Sequence, residues 1–211
     1  MGKKKARTKS SERWLQEHHG DQFVNRARAE NYRSRAVYKL MELDRKYSLL
    51  KPGMTVVELG SAPGSWTQYI SERLKGRGLI VATDILTMDS FENVTFVQGD
   101  FNDIDVLHKI GDVLGENRAD LVLSDMAPNL SGIVSADQAR AIGLAELAHD
   151  LARNFAGPGS DFVIKLFQGE GFDDVIKALR SDYTSVTVKK PEASRDRSRE
   201  VFAVARNLLL V

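Results

Sequence analysis

Two residues of this chain stand where a charge is hard to explain by folding alone. Lys165 lies inside Phe162-Val163-Ile164-Lys165-Leu166-Phe167, and Asp125 closes the run Leu121-Val122-Leu123-Ser124. An ammonium flanked on both sides by apolar strand residues is costly to bury unless it is paired or used, although a strand-end lysine can also pack its stem and send its head to water. An amine becomes a base near neutrality only when desolvation or a neighbouring cation makes its ammonium easier to deprotonate, and an adjacent carboxylate acts the other way. A lysine and an aspartate at strand ends are therefore candidates for proton transfer.

A second group suits a ligand rather than a proton. Glu58-Leu59-Gly60-Ser61-Ala62-Pro63-Gly64-Ser65-Trp66 follows an apolar run and precedes Thr67 to Leu74, where apolar residues recur at helical spacing. Gly60 and Gly64 would let a ligand approach the backbone closely, and a helix start would aim its amides there. The full dinucleotide pattern G-x-G-x-x-G is absent, which argues against a nicotinamide enzyme. Asp84, 20 residues after Gly64, can accept from ribose hydroxyls, and Asp100, after Phe96-Val97-Gln98-Gly99, from an adenine amino group. Taken singly, Asp84 reads equally well as a turn residue, Asp100 as the cap of the following helix and Trp66 as core.

These residues need elements that bring them together. Apolar patterning predicts strands over 55–59, 78–83, 94–97, 119–124, 160–167, 184–189 and 200–205, with helices over 65–74, 102–115, 136–155 and 171–181. The alternation argues for a mostly parallel sheet covered by helices on both faces, whose ligands bind beyond the carboxyl ends of the strands. Gly157-Pro158-Gly159 reads as a turn before the fifth strand. The loop Lys190 to Arg199 is too short for a helical crossover, so the last two strands should pair antiparallel. Upstream, residues 1–10 read as a flexible basic tail, Ser11 to Gly20 as a short helix, Asp21 to Asn31 as a helix capped by Asp21, and a third helix capped by Ser34 runs to Tyr47.

Charge is distributed unevenly. Residues 1–51 hold 14 Lys+Arg against 6 Asp+Glu, whereas the remaining 160 hold 16 against 23. A basic end suggests a polyanionic partner, with Arg26, Arg28, Arg33, Arg35 and Lys39 set among apolar residues at helical spacing. Cysteine is absent, and His18, His19, His108 and His149 show no ligand spacing, so no metal site is expected. No apolar run approaches the ~18 residues of a membrane span, and the start Met-Gly-Lys-Lys-Lys lacks a signal-peptide core. A cytoplasmic protein without membrane association is the expectation.

The set Arg33-Ser34-Arg35-Ala36, Lys39-Leu40, Lys51-Pro52-Gly53-Met54, Leu59 to Trp66, Ser124-Asp125-Met126-Ala127-Pro128-Asn129, Val163-Ile164-Lys165 and Ser194 to Glu200 resembles the FtsJ/RrmJ family of S-adenosylmethionine-dependent RNA 2′-O-methyltransferases, from about Ser11 to Ala205. Within it, the similarity is greatest to the bacterial branch acting on a uridine ribose of 23S rRNA in the large (50S) ribosomal subunit. The resemblance implies an α/β, doubly wound, seven-stranded Rossmann-like methyltransferase fold with an antiparallel last strand. It implies a catalytic set of Lys39, Asp125, Lys165 and Glu200, and S-adenosylmethionine contacts from Gly60, Gly64, Trp66, Asp84, Asp100 and Asp125. The expected organisation is a basic RNA-binding extension over 1–51 and a methyltransferase domain over 52–211, acting as a monomer on 23S rRNA. The competing readings are the same chemistry on tRNA or an mRNA cap, and a non-catalytic ribosome assembly factor. An amine methyltransferase is disfavoured, since Asp125-Met-Ala-Pro is not the Asn/Asp-Pro-Pro-aromatic pattern that accepts from a planar amine.

Overall fold

The computed structural model describes residues 21–209; the expected tail over 1–10 and helix over Ser11–Gly20 lie outside the described residues. The elements run α1 (Gln22–Ala29), α2 (Val37–Tyr47), β1 (Thr55–Leu59), α3 (Ser65–Leu74), β2 (Leu79–Asp84), β3 (Thr95–Gln98), α4 (Ile104–Leu114), β4 (Ala119–Ser124), α5 (Val134–Phe155), β5 (Ala156–Phe167), α6 (Phe172–Asp182), β6 (Tyr183–Lys189) and β7 (Glu200–Leu208).

One seven-stranded sheet has the order β3-β2-β1-β4-β5-β7-β6. β1 to β5 are parallel, and β7 lies antiparallel between β5 and β6. The expected antiparallel pairing of the last two strands is present, and β7 also pairs along β5, with Lys165 opposite Phe202 and Phe167 opposite Glu200. From β1 the chain winds outward through β2 and β3, then returns to β4 on the other side of β1, which opens the crevice of a topological switch point at the carboxyl ends of β1 and β4.

The strands are buried on both faces, so neighbouring residues serve different cores. Val57, Leu59, Phe162, Ile164 and Ala203 pack toward α4, α5 and α6. Val56, Leu123, Val163 and Phe202 pack with Leu40, Leu43, Trp66 and Ile70 from α2 and α3. A third cluster of Ala27, Val37, Tyr38 and Ala193 seats α1 against α2 and the loop before β7.

Local chemistry sets most boundaries. Asp21 caps α1, accepting from the amides of Phe23 and Val24 at 3.0 and 3.3 Å. Ser34 shapes the entry to α2 rather than capping it: its Oγ accepts from Ala36 N at 3.2 Å, and the helix begins at Val37. Gly157-Pro158-Gly159 is not a separate turn. Ala119 pairs with Ala156 and Leu121 with Asp161, so β5 starts at Ala156 and carries these residues as a bulge.

Candidate functional site

β4 and β5 deliver the two charged residues from which the sequence analysis began. Lys165, 9% exposed, is a member of β5 rather than a residue beyond it, and its Nζ lies 2.9 Å from Asp125 Oδ1 while also donating to the Asp125 carbonyl. Asp125 is set by the sheet, its amide bonded to Leu59 O at 3.1 Å, which places it in the β1/β4 crevice. The strand register puts Lys165, Phe167, Glu200 and Phe202 on one face, the face that α2 covers. Lys39 reaches Glu200 from α2, Nζ to Oε1 at 2.6 Å, and Ser194 Oγ holds the same carboxylate oxygen at 3.0 Å. Phe202 lies between the two pairs: it is opposite Lys165 in the ladder, and Lys39 Nζ is 5.7 Å from its ring centroid. The four expected catalytic residues thus form two ion pairs around one aromatic ring, all more than four-fifths buried.

The glycine loop spans the other side of the crevice. Gly60 and Gly64 have φ of +78° and +101°, and a Cβ on Gly60 would meet Met126 Cγ at 2.8 Å, directly beyond Asp125. The loop contains a cis Ala62–Pro63 bond. Asp84 anchors it from the end of β2: Oδ2 accepts from Ala62 N at 2.9 Å and Oδ1 from Leu86 N at 2.8 Å. Each oxygen retains a second acceptor position. Asp100 is exposed, with Oδ1 accepting from Asn102 N and Nδ2 at 2.9 and 2.8 Å; the cap of α4 is Asp103. The Trp66 indole is 2% exposed, packs on Phe202 and donates Nε1 to Ala36 O at 2.8 Å, which leaves its backbone amide, in the first turn of α3, as the group able to face a ligand.

Two features were not read from the sequence. Glu58 on β1 is 1% exposed beneath the glycine loop, and its Oε2 accepts from Thr67 Oγ1 at 2.6 Å. Burial, reinforced by the Asp125 and Asp84 carboxylates, pushes its carboxyl up to about 8 against the Thr67 bond. A carboxylate in Val56-Val57-Glu58-Leu59 was its available signal. Arg33 is the second. Its Nη1 donates to Pro63 O at 3.1 Å and Asp89 O at 3.0 Å, and its guanidinium stacks 3.8 Å from the Phe91 centroid, tying the glycine loop to residues 85–93.

A donor set of this kind fits an adenosine-bearing ligand without a phosphate. Acceptors lie at the ends of β2 and β3, and the hydroxyls of Ser61 and Thr83 are buried beside the loop without a hydrogen-bond partner among the described residues. Among those residues no group of His, Cys, Asp or Glu could hold a metal ion, and no helix is long and apolar enough to cross a membrane.

Comparison with known proteins bears on the fold and the family. The chain is 53% identical over 201 residues to the ribosomal RNA large subunit methyltransferase E of Legionella pneumophila (strain Corby), covering 95% of this chain and 98% of that one. A crystal structure of a ribosomal RNA methyltransferase from Plasmodium falciparum superposes with a TM-score of 0.76 at 31% identity, over 84% of this chain and 99% of that chain. Human methyltransferase-like protein 13, solved in complex with SAH, shares the fold at 13% identity and a TM-score of 0.54, over 81% of this chain and 79% of that one. The model of the FtsJ-like methyltransferases matches residues 32–208, and the chain belongs to that family.

Proposed function

We propose that this methyltransferase moves a methyl group from S-adenosylmethionine to the ribose 2′-hydroxyl of a uridine in 23S rRNA of the large ribosomal subunit. The observation that carries the reading is the buried Lys165–Asp125 pair at the β1/β4 crevice, with Lys39–Glu200 on the same face. The names of the relatives, large-subunit rRNA methyltransferases, support the substrate class.

Bound S-adenosylmethionine would supply an electrophilic methyl on a sulfonium. Gly60, Gly64 and the Trp66 amide would hold its methionine end, Asp84 its ribose hydroxyls and Asp100 its adenine amino group. Lys165 takes the proton of the 2′-hydroxyl as the oxygen attacks. Asp125 holds the Lys165 Nζ through its carboxylate and its carbonyl, which fixes the direction from which that proton leaves. Lys39 places a second cation near the reacting oxygen, where it stabilises developing negative charge. Glu200 orients Lys39, and Ser194 in turn orients Glu200. Much of the rate should come from holding oxygen, methyl and sulfur in line. The protein would act in the cytoplasm as a monomer, with RNA across its basic N-terminal region and the Lys189 to Arg199 loop.

Purified Lys165→Ala, assayed on large subunits lacking the modification, should lose about 10²- to 10⁴-fold in methyl transfer. Its cofactor and RNA affinities should stay near those of the parent. Near-normal turnover would sink the assignment of the base, and a parent protein inactive on such subunits would sink the substrate.

A further inference from the structure

Beyond Asp125 the chain runs through Met126 to Ile133 before α5, and three large apolar side chains there face solvent. Leu130 is 77% exposed, Ile133 62% and Val134 66%. The loop that displays them is firmly tied. Asp137 in the first turn of α5 accepts from Ser131 N and Oγ, each at 2.7 Å, and from Gly132 N at 3.0 Å. Arg140 donates Nη1 to Asn129 O at 3.3 Å, and Gly132 makes the reversal at φ +85°. An apolar patch held outward by so many polar bonds beside a reacting pair marks a contact surface.

The chemistry of the site points to what makes the contact. Met126 follows Asp125 directly, and Met126 and Pro128 lie beside Lys165, so the loop starts at the reacting pair, and Leu130 follows Pro128 by two residues, within about 7 Å along the chain. A ribose whose 2′-oxygen lies at Lys165 carries its base on the adjacent carbon, so the base must occupy space within a few ångströms of that pair. On the α2 side the wall is polar: the Lys39–Glu200 ion pair and the Ser194 hydroxyl. On the α5 side it is this loop. A nucleobase has polar edges and apolar faces, and single-stranded RNA is read by splaying bases out against side chains. Arg140, its side chain 56% exposed at the end of the patch, lies 3.8 Å from Asp137 and adds to the tie that holds the loop.

We propose that Leu130, Ile133 and Val134 form the platform on which the face of the target base packs, so that this loop admits a base already out of its stack and positions its ribose for Lys165. This rests on the 2′-O-methyltransferase reading above. The test is a cycle between protein and substrate. Parent and Leu130→Ser/Ile133→Ser proteins would be assayed on large subunits assembled from unmodified 23S rRNA and from the same RNA with an abasic residue, 2′-hydroxyl retained, at the target. The abasic change should cost the parent about 10-fold in kcat/KM, as expected when one apolar base face loses its contact with aliphatic side chains. The double variant should lose a comparable factor on the normal RNA and little more on the abasic RNA, with melting temperature and calorimetric cofactor affinity unchanged. Asp137→Ala, which unties the loop without removing the platform, should lose part of the same factor.

A double variant as active as the parent would overturn the proposal. Equal losses on both RNAs would also overturn it, because the patch would then serve something other than the base, such as a ribosomal protein or a second copy of this chain. If the parent leaves the uridine-containing RNA unmethylated, the functional reading fails and the platform with it.

Discussion

Glu58 makes the most specific demand of any single residue. Its carboxyl stays protonated in the folded protein to about pH 8, whereas exposed in the unfolded chain it ionises near 4.5. A group whose folded-state value is raised contributes most to stability below the unfolded value, and that contribution is lost as pH rises toward the folded one. Glu58→Gln keeps an acceptor for Thr67 and has no proton to lose. The variant should therefore gain on the parent between pH 4.5 and 8, by roughly 5 kcal/mol at most, as seen in urea unfolding at pH 5 and pH 8. An equal stability difference at both pH values would show that Glu58 is not held neutral. Asp125 and Lys165 were legible from sequence because each ends or interrupts an apolar run, and alternating strands and helices make β4 and β5 plausible parallel neighbours. The contact of Lys39 with Glu200 was not visible in any periodicity. It joins a helix to a strand 161 positions later, and only the family resemblance suggested it.

At the scale of elements, residues 31–36 are stitched almost one by one to the glycine loop and α3. Gln68 Nε2 donates to Asn31 O at 3.1 Å, and Tyr32 OH donates to Glu72 Oε2 at 2.7 Å. Arg33 bonds Pro63 O at 3.1 Å, Ser34 Oγ lies 2.8 Å from Ser65 Oγ, and Trp66 Nε1 donates to Ala36 O at 2.8 Å. Most acceptors are backbone carbonyls, which carry no residue-type signature, so sequence reasoning found both segments without finding the seam. Gly64 tests it. A Cβ there would meet Arg33 Nη1 and Met88 Sδ at 2.7 Å and Phe91 Cε2 at 2.9 Å, at a φ of +101°. Gly53, at φ +97°, has no atom of the described residues within 4 Å of the same position. Gly53→Ala should cost the backbone strain alone, about 1–2 kcal/mol, while Gly64→Ala should cost more and weaken cofactor binding. Equal losses in thermal stability, with cofactor affinity intact in both, would show that the seam does not support the loop. Sheet order shows the same limit of sequence reading. Hydrophobic patterning locates seven strands and the antiparallel return, but the insertion of β7 between β5 and β6 depends on long-range pairing that patterning does not encode.

For the whole molecule, the structure changes how the basic end can meet RNA. Of the five cations that the sequence sets among apolar residues, four serve internal bonds: Arg26 with Glu30, Arg33 with two carbonyls and Phe91, Arg35 with Asp21, and Lys39 with Glu200. A cation already paired adds little net charge to attract a polyanion. Much of the phosphate contact should then fall to residues 1–20, which hold 6 Lys+Arg against 2 Asp+Glu. Each Lys or Arg removed from a phosphate lowers the slope of log affinity against log salt by about 0.7–0.9. A chain starting at Asp21 should bind 23S rRNA with a visibly shallower salt dependence while keeping its cofactor affinity. Arg33→Ala should do the reverse, weakening cofactor binding and leaving the salt slope unchanged. Filter binding across a salt series, paired with cofactor calorimetry on both proteins, separates the two roles; a slope that falls with Arg33→Ala and holds after truncation would return the RNA contact to the face of α1 and α2.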